Sequence, residues 1–224
     1  MKSVLFVTGS GTEVGKTYVT SLLIQQTRAS GRSVRAIKPV ATGMVAVSDP
    51  RFAETDTARL LKAQGLPCDE TAIAGCTRWR FRAPLSPDMA AAEEAQKLSL
   101  DSVVSWTRSA IDLAAPETLV LVEGVGGVMS PIASDGLNID FVAALGCPAV
   151  LVGGSYLGAI THVLTAIEAL RVRAIPLKAL VLNETKDSSV DLAATAASLR
   201  RFASGTQIVV VRYGGNISDA PALS

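Results

Sequence analysis

The stretch GSGTEVGKT, residues 9–17, decides the fold of this 224-residue chain because it combines glycines, a lysine and a threonine in a telling order. Its end, Gly15-Lys16-Thr17, matches the end of the phosphate-binding pattern G-x-x-x-x-G-K-[ST]. The first glycine of that pattern should stand at position 10, but this chain has Ser10 there, and Gly9 comes one residue too early. The stretch therefore indicates a phosphate-binding loop that is one residue longer than usual.

The residues around this loop predict the setting that such a loop needs. SVLFVTG (3–9) is typical of a buried strand, and a helix is predicted from Lys16 to about Ser30, before Gly31. Backbone N–H groups and the helix dipole favour a bound polyphosphate at such a helix start. Lys16 would then reach the terminal phosphates, and the Thr17 hydroxyl would ligate magnesium. The alternative is a glycine-rich turn that only allows the strand and the helix to pack.

The rest of the chain alternates short apolar runs with helical patterns, which predicts an α/β fold. Strand, helix and strand in repetition favour right-handed crossovers and a mostly parallel sheet with helices on both faces. No linker, low-complexity segment or internal repeat divides residues 1–224, so we expect a single domain. Further strands are predicted at 34–40, 118–124, 148–154, 177–183 and 207–212, with 76–81 as a candidate, and helices near 55–65, 86–95, 99–115, 138–145, 158–172 and 189–203.

The composition narrows the class of protein. Hydrophobic residues make up 49% and aromatic residues 4% of the chain, which suits parallel strands covered by helices rich in alanine. The net charge of +1, without a basic run, argues against nucleic-acid binding. The three cysteines form no C-x-x-C pair and predict neither a disulfide framework nor a zinc site. We expect a cytoplasmic protein that does not bind membranes, because no apolar run reaches spanning length and VLFVTG is too short for a signal peptide.

Several polar residues follow predicted strands, where ligands bind in sheets of this kind. Lys38 ends the second strand, which we expect beside the first, so that its ammonium would neutralise charge on a transferring phosphoryl group. Glu123 ends the strand TLVLVE in a position suited to magnesium, and glycines follow it. The alternatives are a solvated lysine cap at Lys38, a helix N-cap or first-turn acid at Asp56, and a glycine turn with a solvated Glu123. His162, the only histidine, is assigned to packing or to supporting a neighbouring residue, and not to catalysis.

Six motifs, taken in order, make the sequence similar to the dethiobiotin synthetase family: GTEVGKT, KPVATG, TDTARL, FRAPLSP, VEGVGGVMSPI and LGAITHVLTAIEAL. The resemblance covers about residues 3–183, and TEVGKT with KPVATG and EGVGG is its most specific part. It implies the P-loop NTPase fold and a ligase of biotin biosynthesis that closes the ureido ring of dethiobiotin. The implied substrates are 7,8-diaminopelargonic acid, CO2 and ATP, and the implied metal cofactor is Mg²⁺.

The resemblance also implies roles for individual residues. Lys38 would be the catalytic lysine between a carbamate and the γ-phosphate of ATP. Lys16 and Thr12 would assist it, Thr12 by binding phosphate or the nascent carbamate. Magnesium would be held by Thr17, Asp56 and Glu123. The residues implied in nucleotide binding are Glu13, Val14, Gly15, Lys16, Thr17, Tyr18, Asp56, Glu123, Gly124, Val125, Gly126 and Asn183, with Asn183 at the adenine edge.

The implied substrate site draws on two parts of the chain. Thr42 stands where the family places a small hydroxyl residue against the diamine. LGAIT (157–161), with Leu157, Gly158 and Thr161, matches a segment that contacts the substrate carboxylate from the neighbouring subunit, which implies a homodimer with active sites at the interface.

This chain also differs from the family's pattern in four places. Many members have asparagine at the position of Thr161, the last helix lacks a tyrosine, ETKDSS (184–189) lacks a proline, and the tail RYGGNISDAPALS is shorter than usual. The differences leave the base preference and the carboxylate contacts open.

Two other functions compete with this one. A ligase of the cobyrinate diamide synthase kind would carry a glutaminase domain, for which we expect no room in 224 residues. A MinD/ParA-like ATPase would place a signature lysine five residues before Lys16, where this chain has Gly11. Such an ATPase would also bind a membrane or DNA, and the sequence shows neither an amphipathic C-terminal helix nor a basic patch.

Overall fold

A computed structural model describes residues 2–186, 188 and 190–215 of the chain. Six of its strands form one parallel sheet, β1, β2, β5, β8, β9 and β10, and four short strands form two separate pairs. The strands are β1 (Ser3–Gly9), β2 (Val34–Ile37), β3 (Val40–Ala41), β4 (Trp79–Arg80), β5 (Leu119–Glu123), β6 (Pro131–Ala133), β7 (Gly136–Leu137), β8 (Ala149–Gly153), β9 (Leu177–Asn183) and β10 (Ile208–Val211).

The order of the strands in the sheet is β10-β9-β8-β1-β5-β2. The prediction that the second strand lies beside the first is wrong, because β5 pairs with β1 on one side and with β2 on the other. In this register Ile37 lies opposite Val122, so that the next residue, Lys38, comes level with Glu123. Lys38 therefore reaches the phosphate-loop edge of the sheet across β5 instead of directly.

Helices cover both faces of this sheet, as the sequence predicts. Strand β1 shows the division, because Phe6 belongs to one hydrophobic core while Leu5 and Val7 belong to the other. The helices are α1 (Lys16–Ala29), α2 (Asp56–Gln64), α3 (Glu70–Cys76), α4 (Pro87–Glu93), α5 (Leu100–Asp112), α6 (Asn138–Leu145), α7 (Ala159–Val172) and α8 (Leu192–Phe202), with a 3-10 turn at Pro50–Glu54. Helices α1, α2 and α3 pack on the Leu5 face, and α4 to α8 pack on the Phe6 face.

The predicted strand at 34–40 is broken in the structure. Strand β2 ends at Ile37, since Pro39 has no N–H to continue a ladder, and Val40 with Ala41 pairs with β4 in a separate sheet. The Lys38 N–H donates instead to the Cys76 carbonyl at the end of α3, at 2.9 Å. Neither α3 nor the β6–β7 hairpin is predicted from the sequence, because both are short and lack a clear hydrophobic period.

Among the described residues, no helix combines the length and the apolar character that crossing a bilayer requires.

Candidate active site

The phosphate loop begins at Gly9, and the packing shows why glycine stands there. A Cβ on Gly9 would lie 2.8 Å from the Gly11 carbonyl oxygen and 3.0 Å from Val14 Cγ2. No larger residue fits without moving the loop backbone, whereas the Ser10 side chain is tolerated. Gly9 is therefore the leading glycine of a loop that has one additional residue before Gly15.

The loop turns into α1 through two residues with left-handed backbone. Gly15 has a φ of +91° and precedes Lys16, the first helical residue. Its missing side chain leaves space for Asn183 of β9, whose Nδ2 donates to the Val14 carbonyl at 3.2 Å. Glu13 adopts a φ of +59°, a conformation that is costly for a residue with a Cβ. The backbone of the loop is therefore fixed by packing in a shape that its residues would not adopt alone.

Glu123 lies at the centre of a buried polar cluster. Its side chain is fully buried and accepts hydrogen bonds from Thr17 Oγ1 and Thr20 Oγ1, each at 2.7 Å. The Lys38 ammonium lies 2.8 Å from Glu123 Oε1 and 3.0 Å from Asp56 Oδ2. Asp56, the first residue of α2, is thus tied to the end of β5 through Lys38. The solvated alternatives for Lys38 and Glu123 do not hold in this structure.

The charges of this cluster alter the ionisation of its members. Burial opposes the charge of Lys38, but the Asp56 and Glu123 carboxylates outweigh it and raise the pKa of Lys38. The Lys38 ammonium lowers the pKa of Asp56 against the opposing effect of burial. Burial, together with the nearby charge of Lys38, lowers the pKa of Lys16 to about 8. Lys38 is therefore ionised and neutralised by its neighbours, while among the described residues Lys16 Nζ donates only to the Gly11 carbonyl, at 3.2 Å.

The glycines after Glu123 bring a second loop against the phosphate loop. A Cβ on Gly127 would lie 3.2 Å from Gly11 Cα, and Gly126 has a φ of +65°. Asn138 at the start of α6 holds this second loop, since its Nδ2 donates to the Gly127 carbonyl at 2.8 Å. Asn138 is 1% exposed and was missed in the sequence, where nothing marks a helix-start asparagine as a loop support.

These elements enclose a cleft of about 780 Å³ at the carboxyl ends of the strands. Most of the residues that the sequence singles out contribute to its lining. Those residues are Thr12, Glu13, Gly15, Lys16, Thr17, Tyr18, Lys38, Thr42, Asp56, Val125 and Gly126. Six further residues also line the cleft and were missed as individual site residues: Arg59, Pro84, Leu85, Ser86, Pro87 and Ser130. The motifs TDTARL, FRAPLSP and VEGVGGVMSPI carried the available signal for all six, because each contains at least one of them and all three belong to the resemblance.

The other predicted site residues lie outside the lining of this cleft. Glu123 is fully buried, and Val14 and Gly124 are buried within the two loops. Asn183 lies 6% exposed beneath Gly15, with its Oδ1 lacking a protein partner among the described residues. The segment at 157–161 lies at the start of α7, where Leu157 is 86% exposed and Gly158 and Thr161 are also exposed.

Two further predictions concern residues near these segments. His162 Nδ1 forms a hydrogen bond with the Tyr156 hydroxyl at 2.8 Å, and His162 lies outside the lining of the cleft. Of the tail RYGGNISDAPALS, residues 216–224 lie outside the described part of the chain, and so do positions 187 and 189 of ETKDSS.

Comparison with known proteins agrees with these motifs. The family described as an AAA domain matches residues 3–219. The ATP-dependent dethiobiotin synthetase BioD of Methylobacterium nodulans is 50% identical over 213 residues, which cover 95% of each chain. The protein of the same name from Phenylobacterium zucineum is 42% identical and covers 98% of this chain and 92% of its own.

Solved structures resemble the fold at low sequence identity. A ParA family ATPase from Chlorobium tepidum has a TM-score of 0.52 and 10% identity, over 100% of this chain and 94% of its own. The cell division protein FtsY of Thermotoga maritima has a TM-score of 0.50 and 12% identity, and this chain spans 64% of its length. These likenesses confirm the predicted α/β fold, whereas the sequence identities assign the family. The chain belongs to the dethiobiotin synthetase family.

Proposed function

We propose that this protein is an ATP-dependent ligase of biotin biosynthesis that forms the ureido ring of dethiobiotin from 7,8-diaminopelargonic acid and CO2. The observation that carries the proposal is that Lys38 and Asp56 line one cleft with the phosphate loop, while the buried Glu123 contacts Lys38 and Thr17. The relatives named as dethiobiotin synthetases supply the reaction, and this cleft has the charges that the reaction requires.

The proposed reaction proceeds in three steps. One substrate amine bonds to the carbon of CO2 and loses a proton to solvent, which gives a carbamate. A carbamate oxygen then attacks the γ-phosphorus of ATP, the bond to ADP breaks, and a carbamic–phosphoric anhydride forms. The second amine attacks the carbamoyl carbon, phosphate leaves, a proton is lost and the ring closes. No side-chain nucleophile is needed, so the protein contributes positioning and charge stabilisation.

The two lysines supply much of that stabilisation. Lys16 begins α1 and faces the cleft, where it would contact the terminal phosphates together with the backbone N–H groups of the loop. Lys38 lies deeper, 3% exposed, and would stabilise the charge shared by the carbamate and the γ-phosphate. Thr12 and Glu13 occupy the lengthened part of the loop and line the cleft. We place the carbamate beside Thr12 for this reason.

The residues at the bottom of the cleft suit magnesium. Thr17 Oγ1 lies 2.7 Å from Glu123 Oε1, and the Lys38 ammonium bridges Glu123 and Asp56. Hydroxyl and carboxylate oxygens are the ligands that Mg²⁺ prefers. Thr17, Asp56 and Glu123 would hold the ion, which supplies positive charge to the phosphate oxygens when bound.

Two remaining parts of the proposal concern the adenine base and the subunits. Asn183 Oδ1 is buried and has no protein partner among the described residues, and a hydrogen bond from an adenine amine would satisfy it. Leu157, Gly158 and Thr161 are exposed at the start of α7, which suits a segment that reaches the carboxylate site of a second copy. We propose a homodimer whose active sites lie at the interface.

The test is a reconstituted reaction. Purified protein is incubated with 7,8-diaminopelargonic acid, bicarbonate, magnesium and ATP, and phosphate release and dethiobiotin are measured, the latter by mass spectrometry. We expect the two products in equal amounts, and neither without the diamine. Phosphate release that does not depend on the diamine would instead indicate a switch-type ATPase. The absence of dethiobiotin would overturn the proposal.

A further inference from the structure

Arg59 lines the cleft, and the reaction steps described above assign it no role. It lies in the first turn of α2, three residues after Asp56, and lines the cleft with an exposed side chain. Residues three apart occupy neighbouring positions on one helix face, about 4.5 Å apart along the axis. The guanidinium is thus carried on the same helix face that presents Asp56 to Lys38.

Arg59 and Lys38 differ in whether their positive charge is paired with a carboxylate. Lys38 contacts two carboxylates at 3.0 Å or less, so its positive charge is already compensated. Arg59 forms no ion pair or hydrogen bond through its side chain within the described ranges of the chain, and Asp56, the one carboxylate of α2, is paired with Lys38. An exposed arginine that faces a cleft without an acidic partner is available to an anion that enters it.

The chemistry of the side chain narrows the kind of anion. A guanidinium is planar, remains charged at every working pH and donates two parallel hydrogen bonds to a carboxylate or a phosphate. The diamine carries its carboxylate several carbon atoms from the amines that react. The phosphoryl group, in contrast, must pass the end of the cleft where Lys16, Lys38 and Asp56 meet. Arg59 stands one helical turn from that end.

We propose that Arg59 binds oxygens of the phosphoryl group while it leaves ATP, and holds the phosphate that is released after ring closure. This inference rests on the proposed function. Arg59 would supply the uncompensated positive charge that Lys38, held by two carboxylates, cannot supply by itself. Arg59 would be a catalytic residue, because its guanidinium would contact the phosphoryl group that is transferred.

The test compares Arg59→Gln, Arg59→Lys and the control Lys62→Gln, which removes an exposed cation from the same helix outside the cleft. Measured are kcat, the KM of ATP and of the diamine separately, and product inhibition by inorganic phosphate. For Arg59→Gln we expect kcat to fall about 10- to 100-fold and inhibition by phosphate to weaken about tenfold, with the KM of the diamine within twofold. Arg59→Lys should recover part of kcat, and Lys62→Gln should match the parent protein.

Two results would overturn the inference. Unchanged kcat and unchanged phosphate inhibition in Arg59→Gln would show that the guanidinium does not touch the phosphoryl group. A rise confined to the KM of the diamine would place Arg59 at the carboxylate instead. Calorimetric titration of inorganic phosphate into the ADP-bound protein gives a readout that needs no ring closure. Weakened phosphate binding in Arg59→Gln would therefore be measurable even if the parent protein formed no dethiobiotin.

Discussion

The two ends of the cleft differ in how many of their polar side chains form hydrogen bonds or ion pairs within the protein. At its closed end, defined by Lys16, Thr17, Lys38 and Glu123, every side chain is less than 9% exposed and has a partner in the protein. On its outer wall, defined by Thr42, Arg59 and residues 84–87, the side chains of Thr42 and Arg59 have no polar partner among the described residues. The closed end is therefore built before any ligand arrives, whereas the outer wall offers its polar groups to one.

This contrast suggests a division of labour. A prearranged, buried set of charges suits the phosphoryl chemistry, since it costs no reorganisation during the reaction. Open hydroxyl and guanidinium groups suit recognition of ligands. Changes at the closed end should therefore alter kcat and the free energy of unfolding, and changes on the outer wall should alter ligand binding with little effect on folding.

The largest effect is expected for Lys38→Met. The substitution removes the ammonium that contacts Glu123 and Asp56, and we expect kcat to fall about 10²- to 10³-fold because a preorganised charge is lost. Lys62→Met on the same side of the sheet is the control and should retain the parent kcat. Steady-state kinetics and a thermal melt of each variant give the measurement. Normal turnover of a folded Lys38→Met protein would contradict the catalytic role.

A large effect on stability is expected for Glu123→Gln. The fully buried carboxylate binds Thr17, Thr20 and Lys38, and its loss should lower the free energy of unfolding by about 3 kcal/mol. Urea titration followed by circular dichroism measures this change. Glu168→Gln, which breaks an exposed pair with Arg171, should leave the urea midpoint nearly unchanged. Equal midpoints for the two variants would mean that the closed end is not a stabilising unit.

A smaller effect is expected for Gly9→Ala, because the added Cβ would lie 2.8 Å from the Gly11 carbonyl oxygen. The loop must shift, and we expect ATP to bind about tenfold more weakly. Gly75→Ala is the matched control: nothing lies within 4 Å of its added Cβ, and α3 should gain a little stability. Titration with a non-hydrolysable ATP analogue measures the affinity. Identical affinities of Gly9→Ala and Gly75→Ala for the ATP analogue would show that the loop does not require glycine at position 9.

The smallest effect is expected for Thr42→Ala on the outer wall. If Thr42 binds the diamine as the proposed function requires, loss of its hydroxyl should raise the KM of the diamine about fivefold, which corresponds to about 1 kcal/mol. The KM of ATP in the same variant is the internal control and should stay within twofold. Kinetics with each substrate varied in turn measures both constants. A change confined to the KM of ATP would move Thr42 from the diamine to the nucleotide.

The sequence predicts the closed end better than the outer wall for a physical reason. A glycine with positive φ and a lysine that begins a helix are local properties. The stretch GSGTEVGKT contains both, at Gly15 and Lys16. Arg59 looks like an ordinary surface residue of an amphipathic helix in the sequence. Only the packing of α2 against α1 and β2 turns that helix face toward the cleft.

By itself the sequence determined the phosphate loop and the alternation of buried strands with helices, because backbone preference and hydrophobic period act over a few residues. It did not determine the order of the strands. The insertion of β5 between β1 and β2 depends on contacts between segments more than 80 residues apart, such as Ile37 with Val122. That insertion places Lys38 level with Glu123. The tertiary structure therefore decides which charged side chains meet at the cleft.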